Sequence, residues 1–164
     1  MKAASLNEIR KHLSTLDSGA LEKMCIALAR YRKENKELLT YLLFEAHDEQ
    51  AYISNVKVEV DEFFKTLPKG NVYFIKKSIR KIIRFINKQI KYSGAAETEL
   101  EVRIYFCLRM KSAGIPLHAG TVLFNLYQQQ LKKVHGVLSK LPEDLQFDYE
   151  RDLGLIREDS KAKV

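Results

Sequence analysis

KGNVYFIKKSIRKIIRFINKQIK, Lys69 to Lys91, sets basic and apolar residues at helical spacing. It holds eight basic residues and no acidic one, while the rest of the 164-residue chain holds 20 basic against 21 acidic. The net charge of +7 therefore resides in this one segment. At about 100° per residue, Lys77, Lys81, Arg84, Lys88 and Lys91 fall within about 40° of a single line. Val72, Ile75, Ile79, Ile82, Ile83, Ile86 and Ile90 gather on the opposite side. The spacing predicts a strongly amphipathic helix with a basic ridge along its back. Asn71, after the turn Pro68-Lys69-Gly70, is its expected N-cap, and Gly94 is its expected stop.

On either side the pattern is more ambiguous. Ile53, Val56, Val60, Phe63, Phe64 and Leu67 fit one helical face, yet Val56, Val58 and Val60 also alternate with a strand's period. The same conflict recurs at Leu100, Val102, Ile104, Phe106 and Leu108. Neither run is bounded by hairpin turn residues, and both continue into charged sequence without Gly or Pro, so helix is the preferred assignment for both. Thr98 is expected to open the second of these helices, and Gly114 with Pro116 to end it. Gly120-Thr121 then starts a helix striped by Leu123, Tyr127, Leu131, Val134, Leu138 and Leu141. Pro142 is placed at the first position of a last short helix reaching Tyr149 or Leu153.

Towards the N-terminus, Ser5 and Glu8 form a capping box ahead of Leu6, Ile9, Leu13 and Leu16. Asp17-Ser18-Gly19 ends that helix and caps the next, which carries Leu21, Met24, Cys25, Leu28 and Tyr31. Asn35 is the expected cap of a third, through Leu38, Leu39, Leu42 and Leu43. The run SLNEIRKHLSTLDSGALEKMCIALARYRKENKELLTYLLF, Ser5 to Phe44, resembles the opening of an uncharacterised bacterial all-helical family. Members of that family begin with a short leucine helix, a Leu-Ser/Asp turn and a helix ending before an Asn-Lys-Glu corner. The resemblance implies an all-helical fold and carries over no functional residue.

Composition agrees with helices. Three prolines and seven glycines leave long runs of Leu, Ile, Lys and Glu uninterrupted. The N-terminus lacks the apolar run of a signal peptide and no stretch nears the length of a membrane span, so a cytoplasmic protein with two reduced, buried thiols, Cys25 and Cys107, is expected. These features predict an all-α fold of about eight antiparallel helices, an irregular bundle or a short helical-hairpin stack of the HEAT kind. They place a single domain over residues 1–155 and a loose tail over residues 156–164.

Chemistry has few candidates. Glu45, His47, Asp48 and Glu49 fall within five successive positions and point around a helix end, which is no metal-ligand spacing. Gly114 to Gly120 has the glycines of a phosphate loop without its lysine or its strand. Neither cysteine has a nearby histidine. No cofactor and no metal are expected. The leading functional reading is a non-enzymatic helical interaction or adaptor module with a protein partner or itself. The alternative is sequence-nonspecific binding of nucleic acid, or of another acidic surface, through residues 71–92, with Lys77, Lys81, Arg84, Lys88 and Lys91 as the polyanion contacts and Phe74, Phe85 and Tyr92 beside them. Two internal uses of the ridge compete with that alternative. Glu59, Asp61 and Glu62 before it, and Glu97, Glu99 and Glu101 after it, are natural counter-charges, and the acidic segment Glu143 to Asp159 could dock on it. An enzyme assembled from residues without a linear motif stands as a third reading.

Overall fold

The computed structural model describes residues 2–157, which form nine α-helices and one short π-helical turn and contain no strand. Residue contacts fall into two compact units, Met1–His47 and Asp48–Val164.

The first unit contains α1 (Leu6–Leu13), α2 (Ser18–Tyr31) and α3 (Lys33–Thr40), the last continuing through the π-helical turn Tyr41–Glu45. Its starts are made by short polar side chains that satisfy the open N–H groups of a helix end. The Ser5 N–H donates to Glu8 Oε2 at 2.8 Å and Asp17 Oδ1 accepts from the Ala20 N–H at 2.9 Å. The third helix begins two residues before the expected cap. Arg32, extended at φ −144°, precedes it without a side-chain cap. Asn35 instead lies inside α3 and donates through Nδ2 to the Leu28 carbonyl at 2.8 Å, filling an open acceptor at the end of α2. Helices α2 and α3 pack on each other, and α1 packs extensively on neither. Tyr41 is the one buried residue among residues 2–47.

The second unit contains α4 (Glu49–Lys65), α5 (Val72–Ser93), α6 (Ala96–Ser112), α7 (Val122–Leu138), α8 (Glu143–Asp148) and α9 (Glu150–Arg157). Helix α6 is its axis, packed by α4, α5, α7 and α9. That position explains the strand-like alternation. Leu100, Val102, Ile104, Phe106, Cys107 and Met110 are all buried because α6 is covered all round, so its apolar residues need not keep to one face. In α4 the helical period wins outright, with Ile53, Val56, Val60 and Phe64 buried while Val58 is exposed.

Polar side chains join these helices at defined points. The Ser93 and Thr98 hydroxyls both donate to the Glu49 carboxylate, tying the start of α4 to the α5–α6 corner. Thr98 therefore lies buried inside α6, which opens at Ala96 rather than at Thr98 as expected. Gly94 takes φ +68° at the end of α5, a left-handed geometry that favours glycine. Arg103 is only 4% exposed and donates to Glu99 Oε1 at 2.7 Å, Gln130 Oε1 at 2.7 Å and Asn87 Oδ1 at 3.0 Å. A buried charge is tolerated when paired and hydrogen-bonded in this way.

The C-terminal expectations need correction. Pro142 caps α8 from outside instead of occupying its first position. Residues after Leu155 are not loose as far as Arg157: α9 continues to that residue, Ile156 is buried, and the Tyr127 hydroxyl donates to its carbonyl at 2.6 Å. An apolar residue at the i+3 position from Leu153 carried that signal. The remainder of the expected tail, residues 158–164, lies outside the described residues.

Two outcomes follow for stability. Arg103→Ala strands the buried Gln130 oxygen and removes the Asn87 contact, and is expected to cost about 1–3 kcal/mol in urea unfolding, the range for leaving a buried acceptor unsatisfied; an unchanged urea midpoint would contradict this role. His135, whose Nδ1 lies 2.9 Å from Arg157 Nη2, is held below its ordinary value of 6.5 by burial and then by the Arg157 charge. The unfolded chain thus takes up a proton there before the folded chain does, so stability declines as pH falls through 6.5. Urea midpoints from about pH 7.5 to about pH 5.5 should fall less in His135→Asn than in the wild type.

Candidate polyanion-binding surface

The ridge of α5 faces outward for the reason its sequence gives. Ile79, Ile82, Ile86 and Ile90 are buried against the second unit, and that fixes the helix rotation. Lys77, Lys81, Arg84 and Lys91 are exposed; Lys88 is half-buried and has a partner of its own. Lys81 Nζ lies 5.1 Å from the centroid of the Phe63 ring, so its stem rests on α4 while its charge stays at the surface.

The carboxylates expected to neutralise this face are engaged elsewhere. Asp61 Oδ1 lies 2.7 Å from Arg109 Nε, off the alignment of a hydrogen bond, and its Oδ2 accepts from the Tyr105 hydroxyl at 2.7 Å. Glu62 pairs with Lys65 at 2.6 Å and Glu99 with Arg103. Glu101 pairs with Lys57, and Glu97 accepts from Gln50 at 2.7 Å. Glu59 is exposed and meets none of the ridge cations. Among the described residues, Lys76, Lys77, Arg80, Lys81, Arg84 and Lys91 have no carboxylate partner.

The acidic C-terminal segment does not lie on the ridge within the described residues. Helix α9 packs on α6, where Tyr149 and Asp152 share a small cleft with Lys57, Glu101 and Tyr105. Glu158 and Asp159 lie outside the described residues.

Structure adds three residues to the surface. Tyr73, Lys76 and Arg80 join Lys77 and Arg84 around a shallow cavity of about 340 Å³ at the N-terminal half of α5. Tyr73 and Phe74 are 65% and 50% exposed, with their rings edge-on at a centroid distance of 5.4 Å. Of the three aromatics expected beside the ridge, only Phe74 is free to receive a ligand. Phe85 packs on Phe63 with centroids 5.2 Å apart, and Tyr92 is half-buried and engaged. Arg80 was legible in the sequence, since it sits within about 60° of the Lys77 line at 100° per residue.

Other arrangements offer little chemistry. The cleft of Lys57, Glu101, Tyr105, Tyr149 and Asp152 has a volume of about 40 Å³, room for water and not for a substrate. Burial, and then the Glu101 and Glu97 carboxylates, push the Tyr149 phenol up to about 12. Burial, helped by the hydrogen bond to Asp61, likewise raises Tyr105. Both phenols are held protonated, the opposite of a group poised as a base.

The two thiols differ from one another. Cys107 is buried, which pushes it up to about 12 and leaves it inert as a nucleophile. Cys25, expected to be buried, is exposed on α2. Its apolar neighbours in sequence belong to a helix face that this unit leaves open. Asp48 accepts from the Ala51 N–H at 3.0 Å as the N-cap of α4 and Glu49 serves Ser93 and Thr98, so structural roles account for half of the Glu45–Glu49 acidic cluster. Among the described residues no group of three or more His, Cys, Asp or Glu side chains could hold a metal ion, and no helix is long and apolar enough to cross a membrane. No family model, no curated protein and no solved structure matches the chain.

Proposed function

We propose that this chain is a non-enzymatic helical binding module whose ligand is single-stranded nucleic acid, held along α5. One observation carries the reading: among the described residues the exposed cations of the ridge have no carboxylate partner, while Asp61, Glu62, Glu99 and Glu101 are engaged by Arg109, Lys65, Arg103 and Lys57. An unpaired row of charge attracts a polyanion and gains from release of its counterions. Lys77, Lys81, Arg84 and Lys91, with Arg80, follow the phosphates, spaced along about 21 Å of helix at 1.5 Å per residue. Tyr73 and Phe74 give unpaired bases an aromatic surface to stack on, and stacking favours a single strand over a duplex. Contacts of this kind read charge and base faces rather than hydrogen-bond patterns, so little sequence preference is expected.

The test is fluorescence anisotropy with labelled single- and double-stranded oligonucleotides over a range of salt. Five phosphate contacts give a log–log salt slope of about −3.5 on single strands. A Lys77→Glu, Arg80→Glu, Arg84→Glu variant, shown by circular dichroism to keep its helices, should lose this binding. Tyr73→Ala should weaken single strands and leave duplex affinity unchanged. Binding that the charge-reversed variant retains, or that ignores salt, would overturn the reading.

A further inference from the structure

The cations of α5 are not spread evenly. Lys76, Lys77, Arg80, Lys81 and Arg84 fall within nine successive positions, about 12 Å of helix at 1.5 Å per residue. Beyond them α5 has only Lys88, which has a partner of its own, and Lys91, seven positions after Arg84. Tyr73 and Phe74, the exposed aromatic pair, stand at the crowded end as well. The N-terminus of α5 lies there too, and the helix dipole adds partial positive charge over its first turn. A row that held a strand equally well at any point along its length would need no such gradient.

Lys76 is the residue that does not fit the row. One position before Lys77, it lies about 100° away from the line of Lys77, Lys81, Arg84 and Lys91. A strand that follows that line has no need of it. Yet Lys76 lines the same shallow cavity of about 340 Å³ as Lys77, Arg80, Arg84 and Tyr73, and no acidic side chain lines it. Four cations thus converge on one space. An internal phosphodiester brings a single negative charge to it. A phosphomonoester brings about −1.5 to −2 at pH 7, with three strong acceptor oxygens. Arg80 and Arg84, neighbours at i and i+4, each offer a planar fork of N–H donors that matches phosphate oxygens, while Lys76 and Lys77 act as point charges.

We infer that this cavity holds the terminal phosphomonoester of a nucleic-acid strand. The terminal base stacks on Tyr73, and the phosphates that follow run along the ridge towards Lys91. The inference rests on the single-strand reading above and narrows its ligand to a strand with a phosphorylated end. The recognising chemistry is the same for a 5′ and a 3′ phosphate.

The experiment is fluorescence anisotropy with three single strands of one sequence, each labelled at an internal position. One carries a 5′ phosphate, one a 3′ phosphate, and one hydroxyls at both ends. At least one phosphorylated strand should bind about tenfold more tightly than the hydroxyl strand, the return of one charge-assisted hydrogen bond. Which of the two does so gives the direction of the strand along α5. Its log–log salt slope should be steeper by about 0.7, for one further charge neutralised. In Lys76→Gln, with helical circular dichroism unchanged, the affinities of the phosphorylated and hydroxyl strands should become equal. Lys91→Gln should weaken both by the same factor and keep their ratio. Equal affinities for all three strands in the wild type overturn the inference, and salt-dependent binding of all three leaves the single-strand reading standing. A preference that Lys76→Gln keeps, or that Lys91→Gln abolishes, also overturns it, because the phosphate is then read elsewhere. Failure of all three strands to bind overturns it together with the reading it rests on.

Discussion

Burial of Ile79, Ile82, Ile86 and Ile90 fixes the rotation of α5, and the other face of the helix has no freedom once that is done. The three fully buried isoleucines, Ile79, Ile82 and Ile86, are together worth about 5–9 kcal/mol of transfer free energy, against tenths of a kcal/mol for each exposed charge that must then share one side. The cations are thus crowded by a packing demand. What remains to be decided by the rest of the unit is whether counter-charges meet them.

The counter-charges are drawn inward instead. Helix α6 has neighbours on every side, and its charged residues are accommodated by pairing within the helix or across those contacts. Arg103 takes Glu99, Lys57 takes Glu101, and Arg109 takes Asp61 while its guanidinium lies 5.6 Å from the Phe64 ring centroid. Each of these pairs joins helices or steadies a partly buried cation, where pairing matters more than it would at the surface. Among the described residues the exposed cations of the ridge are left without carboxylate partners as a consequence of how α6 is packed, and their charge is available to a ligand.

Much of this was legible from residue order, and the failures share a cause. Caps at Ser5, Asp17 and Asn71, and the stop at Gly94, depend on local hydrogen bonds and are legible in the sequence. Asn35 and Thr98 have the same capping chemistry, yet both bond to distant elements, Leu28 and Glu49, which no local pattern reveals. The ridge was visible as periodicity; its lack of partners was not, because Glu62 and Glu99 are as near in sequence as any counter-charge could be. Cys25 and Leu28 looked like core because apolar spacing marks a face that something will cover, without saying whether the cover comes from the same chain.

Among the described residues the exposed cations of α5, Lys77, Arg80, Lys81, Arg84 and Lys91, have no carboxylate partner and repel one another, and thermal unfolding against salt tests this without any ligand. In the wild type, added sodium chloride should raise the melting temperature as it screens the ridge. Lys77→Gln, Arg84→Gln should be at least as stable as the wild type at low salt, and its melting temperature should rise less with salt. A double variant that is less stable at low salt, with a wild type whose melting temperature falls as salt is added, would mean that these cations are paired, and would contradict the account.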